Sequence, residues 1–583
     1  MEHRSDEAFA HIKKNDGQFL FFRHGLDFLH GNCAAADFFS LKHLLFSTII
    51  KRMTKKTSAQ EKKFRLPLKY TRFLKPLVYS KILLIALLLL VQFGIYITLI
   101  LKFDSLLKYV GEMNLALSIL FLSYLVNGSG KNEFKLLWIL PVLILPFFGI
   151  VLYLMCKANF GGHQLKKNLS AIRTLSEPVL SEKKDETAAV FEKYPKVRDI
   201  SEYLLRMSSY PPYIDTKATY FSSGEKAFAD IKEQLKAAET FIFIEYFIIE
   251  PSSIWYEILD ILHEKASQGV DVRVLYDSLG SGAYSTIRYE HYLAQRGIKS
   301  KVFLPFVPIF DTGLNNRDHR KILDIDGKTV YTGGINISDE YANRDHSRFD
   351  YWKDTAIRLD GPAVRTYTIM FLQLWNVANK TVQNDFEYRK FADAPCRKFP
   401  GQGVTIPYGD DAYNGEDIAE NVYSYILARA HNYVHIMTPY VILDNTMINN
   451  LVFAAKRGVE VSLIVPKQYD HYITFCVGRT FIKTLIENGV NVYEYNPGFI
   501  HAKSFVSDGN RAATGSINLD YRSLFHHFEC GVFLYRSPEI ERIEDDFQST
   551  LKDCTQITVE SYKKIPLFTR VTGWIFRIFS PLL

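Results

Sequence analysis

His319-Arg-Lys321-Ile-Leu-Asp-Ile-Asp326, followed by Gly333-Gly334-Ile-Asn336, and His501-Ala-Lys503-Ser-Phe-Val-Ser-Asp508, followed by Gly515-Ser516-Ile-Asn518, decide the reading of this 583-residue chain. In both stretches Lys stands two positions after His, Asp seven and Asn seventeen. A single His-x-Lys is what many surface strands show. Two full copies at matching places are not expected by coincidence.

The spacing has a direct physical meaning. In a strand, residues i and i+2 point to the same side, so His319 shares a face with Lys321 and His501 with Lys503. If two such halves pair about a pseudo-two-fold axis, one pocket receives two imidazoles, two ammonium groups and the amides of Asn336 and Asn518. That set offers a nucleophile, a general acid and oxyanion donors for a phosphodiester. Glycine at 333, 334 and 515, with Ser516, leaves room for a phosphoryl oxygen to approach. Asp326 and Asp508 complete the candidate catalytic set, but they lie farther along, where structural support of the motif is the expected role. Asp354 and Glu529 each precede an alternating apolar run, Thr355–Leu359 and Cys530–Leu534.

Outward from the motifs, the chain repeats itself. Apolar β-rich runs are expected over Thr240–Ile249 and Val270–Tyr276 in one half, and over Val434–Thr438 and Val459–Val465 in the other. Helix-like periodicity fills 252–268 and 445–457 between them. Each unit continues through a Gly turn, Gln295-Arg-Gly-Ile and Glu487-Asn-Gly-Val, before reaching its histidine. Strand–helix–strand order predicts parallel pairing within an α/β fold. The halves are expected over 195–395 and 400–560.

Upstream the character changes. Residues 82–157 read as a transmembrane region. Ile82–Leu101 is an uncharged apolar stretch of twenty residues, long enough to span a bilayer. Leu115–Val126 is only twelve residues, and 105–126 is a possible short span or in-plane segment. Leu136–Cys156 is again long enough, with Pro141 and Pro146 expected to kink it. Basic flanks on both sides place the N-terminus and the catalytic region in the cytoplasm, which favours two full spans with the middle segment in the membrane plane. Residues 1–52 form an extension of unknown structure, with Met53 an alternative start. Residues 565–583 form an amphipathic tail in which Phe568, Trp574, Ile575, Phe576, Ile578 and Phe579 interleave with Arg570 and Arg577. It reads equally as an interfacial helix or as one packed on the catalytic region.

Charge narrows the function class. Residues 53–81 belong to a basic juxtamembrane segment. Between Lys51 and Lys81 there are eleven Lys/Arg and one acid, Glu61, a net +10 within a whole-chain charge of +7, which leaves the remainder at −3. The basicity therefore suits anionic lipid head groups and argues against a nucleic-acid partner. Cys33, Cys156, Cys396, Cys476, Cys530 and Cys554 show neither disulfide nor zinc-ligand spacing.

The paired motifs resemble those of the phospholipase D superfamily. Within it, Ile244-Glu-Tyr-Phe-Ile-Ile, Asn316-Arg-Asp-His-Arg-Lys, Gly498-Phe-Ile-His-Ala-Lys and Gly515-Ser-Ile-Asn-Leu-Asp-Tyr-Arg-Ser are similar to the bacterial cardiolipin synthases. So are the three apolar segments and the ending Phe579-Ser-Pro-Leu-Leu; the resemblance spans about residues 80–583. It implies two phospholipase D-like halves with mixed or parallel sheets behind transmembrane helices, in a multi-pass protein of the bacterial cell membrane.

It also implies phosphatidyl transfer between two phosphatidylglycerol molecules, through a phosphohistidine, giving cardiolipin and glycerol. His319 is the expected nucleophile and His501 the acid/base by that analogy; the residues themselves leave the choice open. Asp354 and Glu529 are the candidates to orient His319 and His501. Lys321, Lys503, Asn336, Asn518 and Ser516 would bind the phosphoryl oxygens, with Gly334 leaving one hydroxyl donor instead of two. No cofactor or metal is called for, since two lysines carry the positive charge. A lipid hydrolase or sister transferase with the same residues is the nearest alternative; a nuclease and a catalytically dead scaffold are more distant ones.

Overall fold

The computed structural model of the chain describes residues 94, 97–98 and 104–583, apart from 158–159, 183, 283–286, 306–315 and 379–384. The N-terminal extension, the basic segment and nearly all of the expected span 82–101 lie outside these residues.

Residues 76–583 form one compact unit. Its first half carries β1 (Lys217–Phe221), β2 (Phe241–Tyr246), β3 (Asp271–Asp277), β4 (Lys299–Phe303), β5 (Lys321–Ile325), β6 (Thr329–Gly333), β7 (Trp352–Lys353) and β8 (Ala356–Asp360). The second half carries β9 (Val404–Asp410), β10 (Tyr433–Met437), β11 (Glu460–Pro466), β12 (Asn491–Tyr495), β13 (Phe499–Ile500), β14 (Ser504–Ser507), β15 (Arg511–Gly515), β16 (Glu529–Tyr535) and β17 (Cys554–Ile557). The seven-stranded sheet runs β1-β8-β6-β5-β2-β3-β4 and the eight-stranded sheet β17-β12-β11-β10-β14-β15-β16-β9.

The repeat emerges as expected. β2–β3–β4 and β10–β11–β12 pair in parallel, with the helices Ser253–Ser267 and Asn445–Lys456 as crossovers. Motif strands β5 and β14 pair antiparallel to β2 and β10, which makes both sheets mixed. The helix Val364–Ala378 is buried along almost its whole length. It ties the halves together: Tyr367 donates to the Gly531 carbonyl at 2.8 Å and Thr368 to Asp324.

Asp326 and Asp508 hold the start of the first strand of each repeat. Both take positive φ, 58° and 52°, in the turn after the motif strand. Asp326 accepts from the backbone N–H groups of Glu239, Thr240 and Phe241 and from the Thr240 hydroxyl. Asp508 accepts from the N–H groups of His431, Asn432 and Tyr433. Burial raises the Asp326 pKa, but these donors outweigh it and hold the carboxyl below the usual range. Its stabilisation is therefore present above the ordinary carboxylate pKa of about 4 and is lost as pH falls through the lowered value. Asp326→Ala is expected to destabilise the fold by on the order of 3 kcal/mol, read as a lowered Tm.

One N-terminal expectation is corrected. Among the described residues no helix is long and apolar enough to cross a membrane. The stretch 136–156, expected as one kinked span, is two helices, Asn132–Ile144 and Pro146–Lys157. Residues 141 and 149 would lie about 12 Å apart along a continuous helix. Instead, a Cβ on Gly149 would come within 2.6 Å of the Pro141 backbone, so the chain doubles back at Leu145. The possible span at 105–126 is the helix Asp104–Asn127, which packs on this hairpin. The compact core also begins earlier than residue 195. The helix Phe160–Ser181 places Leu165, Leu169, Ile172 and Val179 in it, at a spacing that makes one apolar stripe.

The start of the hairpin, at Lys131–Phe134, and the C-terminal tail converge around residues 521–526. Lys131 pairs with Glu420 and Asp444 at 2.6 and 2.9 Å, and Phe134 packs edge-on to Tyr521 and His526. Arg522 donates to the Leu582 carbonyl, and His526 contacts that of Pro581. The tail helix Leu567–Phe576 lies on Tyr472–Ile486, where a Cβ on Gly573 would meet the Cys476 carbonyl at 2.2 Å. Its other face leaves Leu567, Phe568 and Trp574 exposed. The tail is thus a helix packed on the catalytic region along one face.

Candidate active site

Two short backbone pairings between the halves build the site. Phe528 N–H donates to the Arg317 carbonyl and His319 N–H to that of Phe528, at 2.8 and 2.9 Å. In the same way β13 pairs with β7, and His501 N–H donates to the Lys353 carbonyl at 2.7 Å. Each histidine is thereby set beside the residue that follows its partner strand. His319 Nδ1 lies 2.8 Å from Glu529 Oε1, and His501 Nδ1 lies 2.7 Å from Asp354 Oδ2. The orienting pairs cross: each half's histidine is held by the other half's acid. A carboxylate can only accept, so Nδ1 carries the proton and Nε2 is left with its lone pair.

The lysines fold back beside their own histidines. Lys321 Nζ donates to the His319 carbonyl at 2.6 Å and Lys503 Nζ to that of His501. Lys503 Nζ also stands 2.7 Å from His501 Nδ1. Both groups are donors there, so the Asp354 contact fixes the ring proton and the ammonium is anchored by the carbonyl. All four side chains are buried.

Electrostatics link the four groups into one cluster. Burial lowers the His319 pKa well below its usual value, and the charges of Lys321, Lys503 and His501 lower it further. Burial and Lys503 bring His501 down to about 4, against the raising effect of Asp354. Burial also lowers Lys321 to about 8 and Lys503 to about 7, with Glu529 and Asp354 opposing. Without an anion, both imidazoles are neutral at neutral pH and the lysines are close to losing their protons.

The remaining predicted residues fall in less expected roles. Ser516 donates its hydroxyl to Glu529 Oε2 and accepts from Cys530 N–H at 3.0 Å, so it holds the acid that holds His319. At the equivalent Gly334, a Cβ would lie 2.0 Å from Asp354 Oδ1. The shorter acid needs the glycine and the longer one takes the serine; the Gly/Ser difference does not remove a phosphoryl donor. Gly333 and Gly515 make room for the Thr355 and Cys530 carbonyls, 2.5 and 2.3 Å from where a Cβ would stand, rather than for a phosphate. Asn336 accepts from Ile248 N–H and donates to the Tyr341 hydroxyl at 2.7 Å. Asn518 lowers the Asp520 pKa by a side-chain hydrogen bond, while its Oδ1 is buried without a partner. Asp326 and Asp508, described above, stand at the far ends of the motif strands.

Two site residues carry no motif of their own. Arg320 Nε donates to the Glu529 carbonyl at 3.2 Å, bracing the first pair, where the second motif has Ala502. The His527 ring lies 5.4 Å from the His319 ring, tilted by 40°, with Nδ1 3.7 Å from Glu529 Oε1. The His526-His527 doublet just before Glu529 is its only signal in the sequence. His319, His527 and Glu529 bring donor atoms within 4.8 Å of one another, a set able to hold a cation. Lys321 and Lys503 act on the His319 ring and oppose a further positive charge there.

Comparison with known proteins agrees with this geometry. The family described as cardiolipin synthase, PLD-like domain, matches residues 231–375 and 424–551, which contain both motifs. The family described as phospholipase D-nuclease N-terminal matches 116–156. An uncharacterized protein of Streptococcus mutans serotype c is 40% identical over 460 residues, covering 79% of this chain and 99% of its own. A cardiolipin synthase of Geobacillus sp. (strain WCH70) is 30% identical over 484 residues, covering 82% and 95%, and one of Halalkalibacterium halodurans is 31% identical over 477, covering 80% and 93%. The phosphatidylserine synthase of Haemophilus influenzae shares the fold, with a TM-score of 0.51 and 15% identity over 67% of this chain and all of that one. With both motifs inside the matched ranges and relatives aligned over nearly their whole length, the chain belongs to the cardiolipin synthase family of phospholipase D-like proteins.

Proposed function

We propose that this chain is a phosphatidyltransferase that joins two phosphatidylglycerol molecules into cardiolipin and releases glycerol. The observation that carries the reading is the crossed pair of buried histidine–carboxylate contacts, His319–Glu529 and His501–Asp354. In the scheme, His319 Nε2 attacks the phosphorus and the bond to the glycerol oxygen breaks. His501 gives that oxygen its proton. It then takes a proton from a hydroxyl of the second phosphatidylglycerol, whose oxygen displaces His319. Lys321 and Lys503 neutralise the phosphoryl oxygens.

The electrostatic surroundings of the two rings support the assignment. Burial and the lysines lower His319, suiting a neutral nucleophile, and at His501 the Asp354 carboxylate opposes the lowering, suiting a group that takes up a proton. The negative phosphodiester offsets the repulsion among the lysines and raises both imidazoles when it enters. The Ser516 hydroxyl and the Asn336 amide, committed to neighbours, act through positioning. The lipid acceptor is drawn from the bacterial cell membrane, to which the chain is attached by residues 82–101. The exposed apolar side chains of Leu120, Leu136 and Phe147 in the helices over 104–157, and of Phe568 and Trp574 in the tail helix, support this approach.

The test is the full chain in mixed micelles with labelled phosphatidylglycerol. Cardiolipin and free glycerol in equal amounts support transfer, whereas phosphatidic acid as the main product assigns a hydrolase. The pH profile adds a check: kcat/KM is expected to fall on the alkaline side with an apparent pKa between about 7 and about 8, as Lys503 and Lys321 lose their charge.

A further inference from the structure

At the opposite end of β14 and β15 from the histidines lies a second feature. Ser507 pairs with Arg511 where the two strands join, about 13 Å along the strand from Lys503. A cavity of about 620 Å³ opens there, between the 195–202 segment, the end of the helix Ile418–Arg429 and the β14–β15 turn. Five cations line it, Lys196, Arg198, Arg429, Arg511 and Arg536, against Asp199 and Glu202. The two acids are already engaged, Asp199 by Arg429 and Glu202 by Arg198. Among the described residues, Lys196, Arg511 and Arg536 have no carboxylate partner, leaving the cavity at a net +3 in a chain whose charge outside 51–81 is negative.

Arg511 distinguishes this cavity from a solvated basic face. Its residue is only 8% exposed, and its guanidinium donates once, from Nη1 to Asn510 Oδ1 at 2.7 Å. Its Nε is buried without a partner. A buried guanidinium lacking a counter-ion is costly, and its planar fork fits two oxygens of a tetrahedral anion. Exposed Lys196 and Arg536 stand at the same cavity as flexible or outward donors. The volume exceeds that of a bare phosphate and lies in the range of small organic ligands.

We infer that this cavity is a second, non-catalytic binding site for a phosphomonoester dianion, gripped by Arg511 and closed by Lys196 and Arg536. The same chemistry is offered by a soluble phosphorylated metabolite and by a phosphomonoester lipid head group, and the test separates them. Crystals of the full chain are soaked with tungstate, and anomalous density is expected against the Arg511 guanidinium. Density only between His319 and His501 would overturn the inference. In solution, the protein is titrated with glycerol 3-phosphate, and separately floated with vesicles of neutral lipid with and without phosphatidic acid. Saturable binding of the soluble probe assigns a metabolite; capture by phosphatidic acid vesicles alone assigns a lipid. In either arm Arg511→Gln and Lys196→Glu are expected to weaken binding at least tenfold. If Arg511→Gln does not fold, exposed Lys196→Glu and Arg536→Glu carry the comparison. Binding unchanged in these variants, or absent in both arms, contradicts the site.

Discussion

Replacing His501 with alanine is expected to lower kcat by at least about a thousandfold and to leave a phosphatidyl group trapped on His319. The variant lacks the proton that the glycerol oxygen takes on leaving, so the first step slows with the natural donor. A donor bearing a nitrophenol in place of glycerol needs no proton to leave. With it, His501→Ala should form the adduct at close to the normal rate and then stall, because no base remains for the incoming alcohol. His319→Ala should be inactive with both donors, since it has no nucleophile. Mass spectrometry of the quenched protein reads the adduct, and an adduct on His501 in the His319→Ala protein would reverse the assignment.

The second large effect comes from the crossed acids. Glu529→Gln is expected to reduce kcat by about 10³ to 10⁴, because a glutamine amide presents an N–H to His319 Nδ1 and moves the ring proton to Nε2, blocking attack. Asp354→Asn should do the same to His501. The crossing makes the prediction specific. Glu529→Gln, although it lies in the second half, should behave as a His319 defect and stay inactive with the nitrophenol donor. Asp354→Asn, in the first half, should behave as a His501 defect and be rescued for the first step. Ser516→Ala removes one hydrogen bond from Glu529 and should be milder than Glu529→Gln.

This crossing was not legible in the sequence, and the reason is physical. Asp354 and Glu529 stand out as acids before apolar runs, but their partners lie 147 and 210 residues away along the chain. The pairing is set by β13 against β7 and by Phe528 against Arg317 and His319, links too short to leave a periodic signal. What was legible is what local physics enforces. β2, β3, β10 and β11 fall within a few residues of the expected runs, because buried parallel strands are continuous apolar stretches ended by glycine turns.

Pro146 looked like a kink in a spanning helix, yet a residue before proline disfavours the helical region and Leu145 ends the helix there, at φ −137° and ψ 79°. Gly333, Gly334 and Gly515 read as space for a phosphate. Their space is filled by neighbouring strands and by Asp354, which only coordinates can reveal.

His319 and His501 are expected to work on one phosphorus atom. A crystal structure of the full chain with orthovanadate, a mimic of the five-coordinate phosphorus, tests this most directly. One vanadium is expected, bonded to Nε2 of His319, with His501 Nε2 about 3 Å from the opposite apical oxygen and both lysines on the equatorial oxygens. Two vanadium atoms in separate cavities, each touching a single histidine, would contradict it.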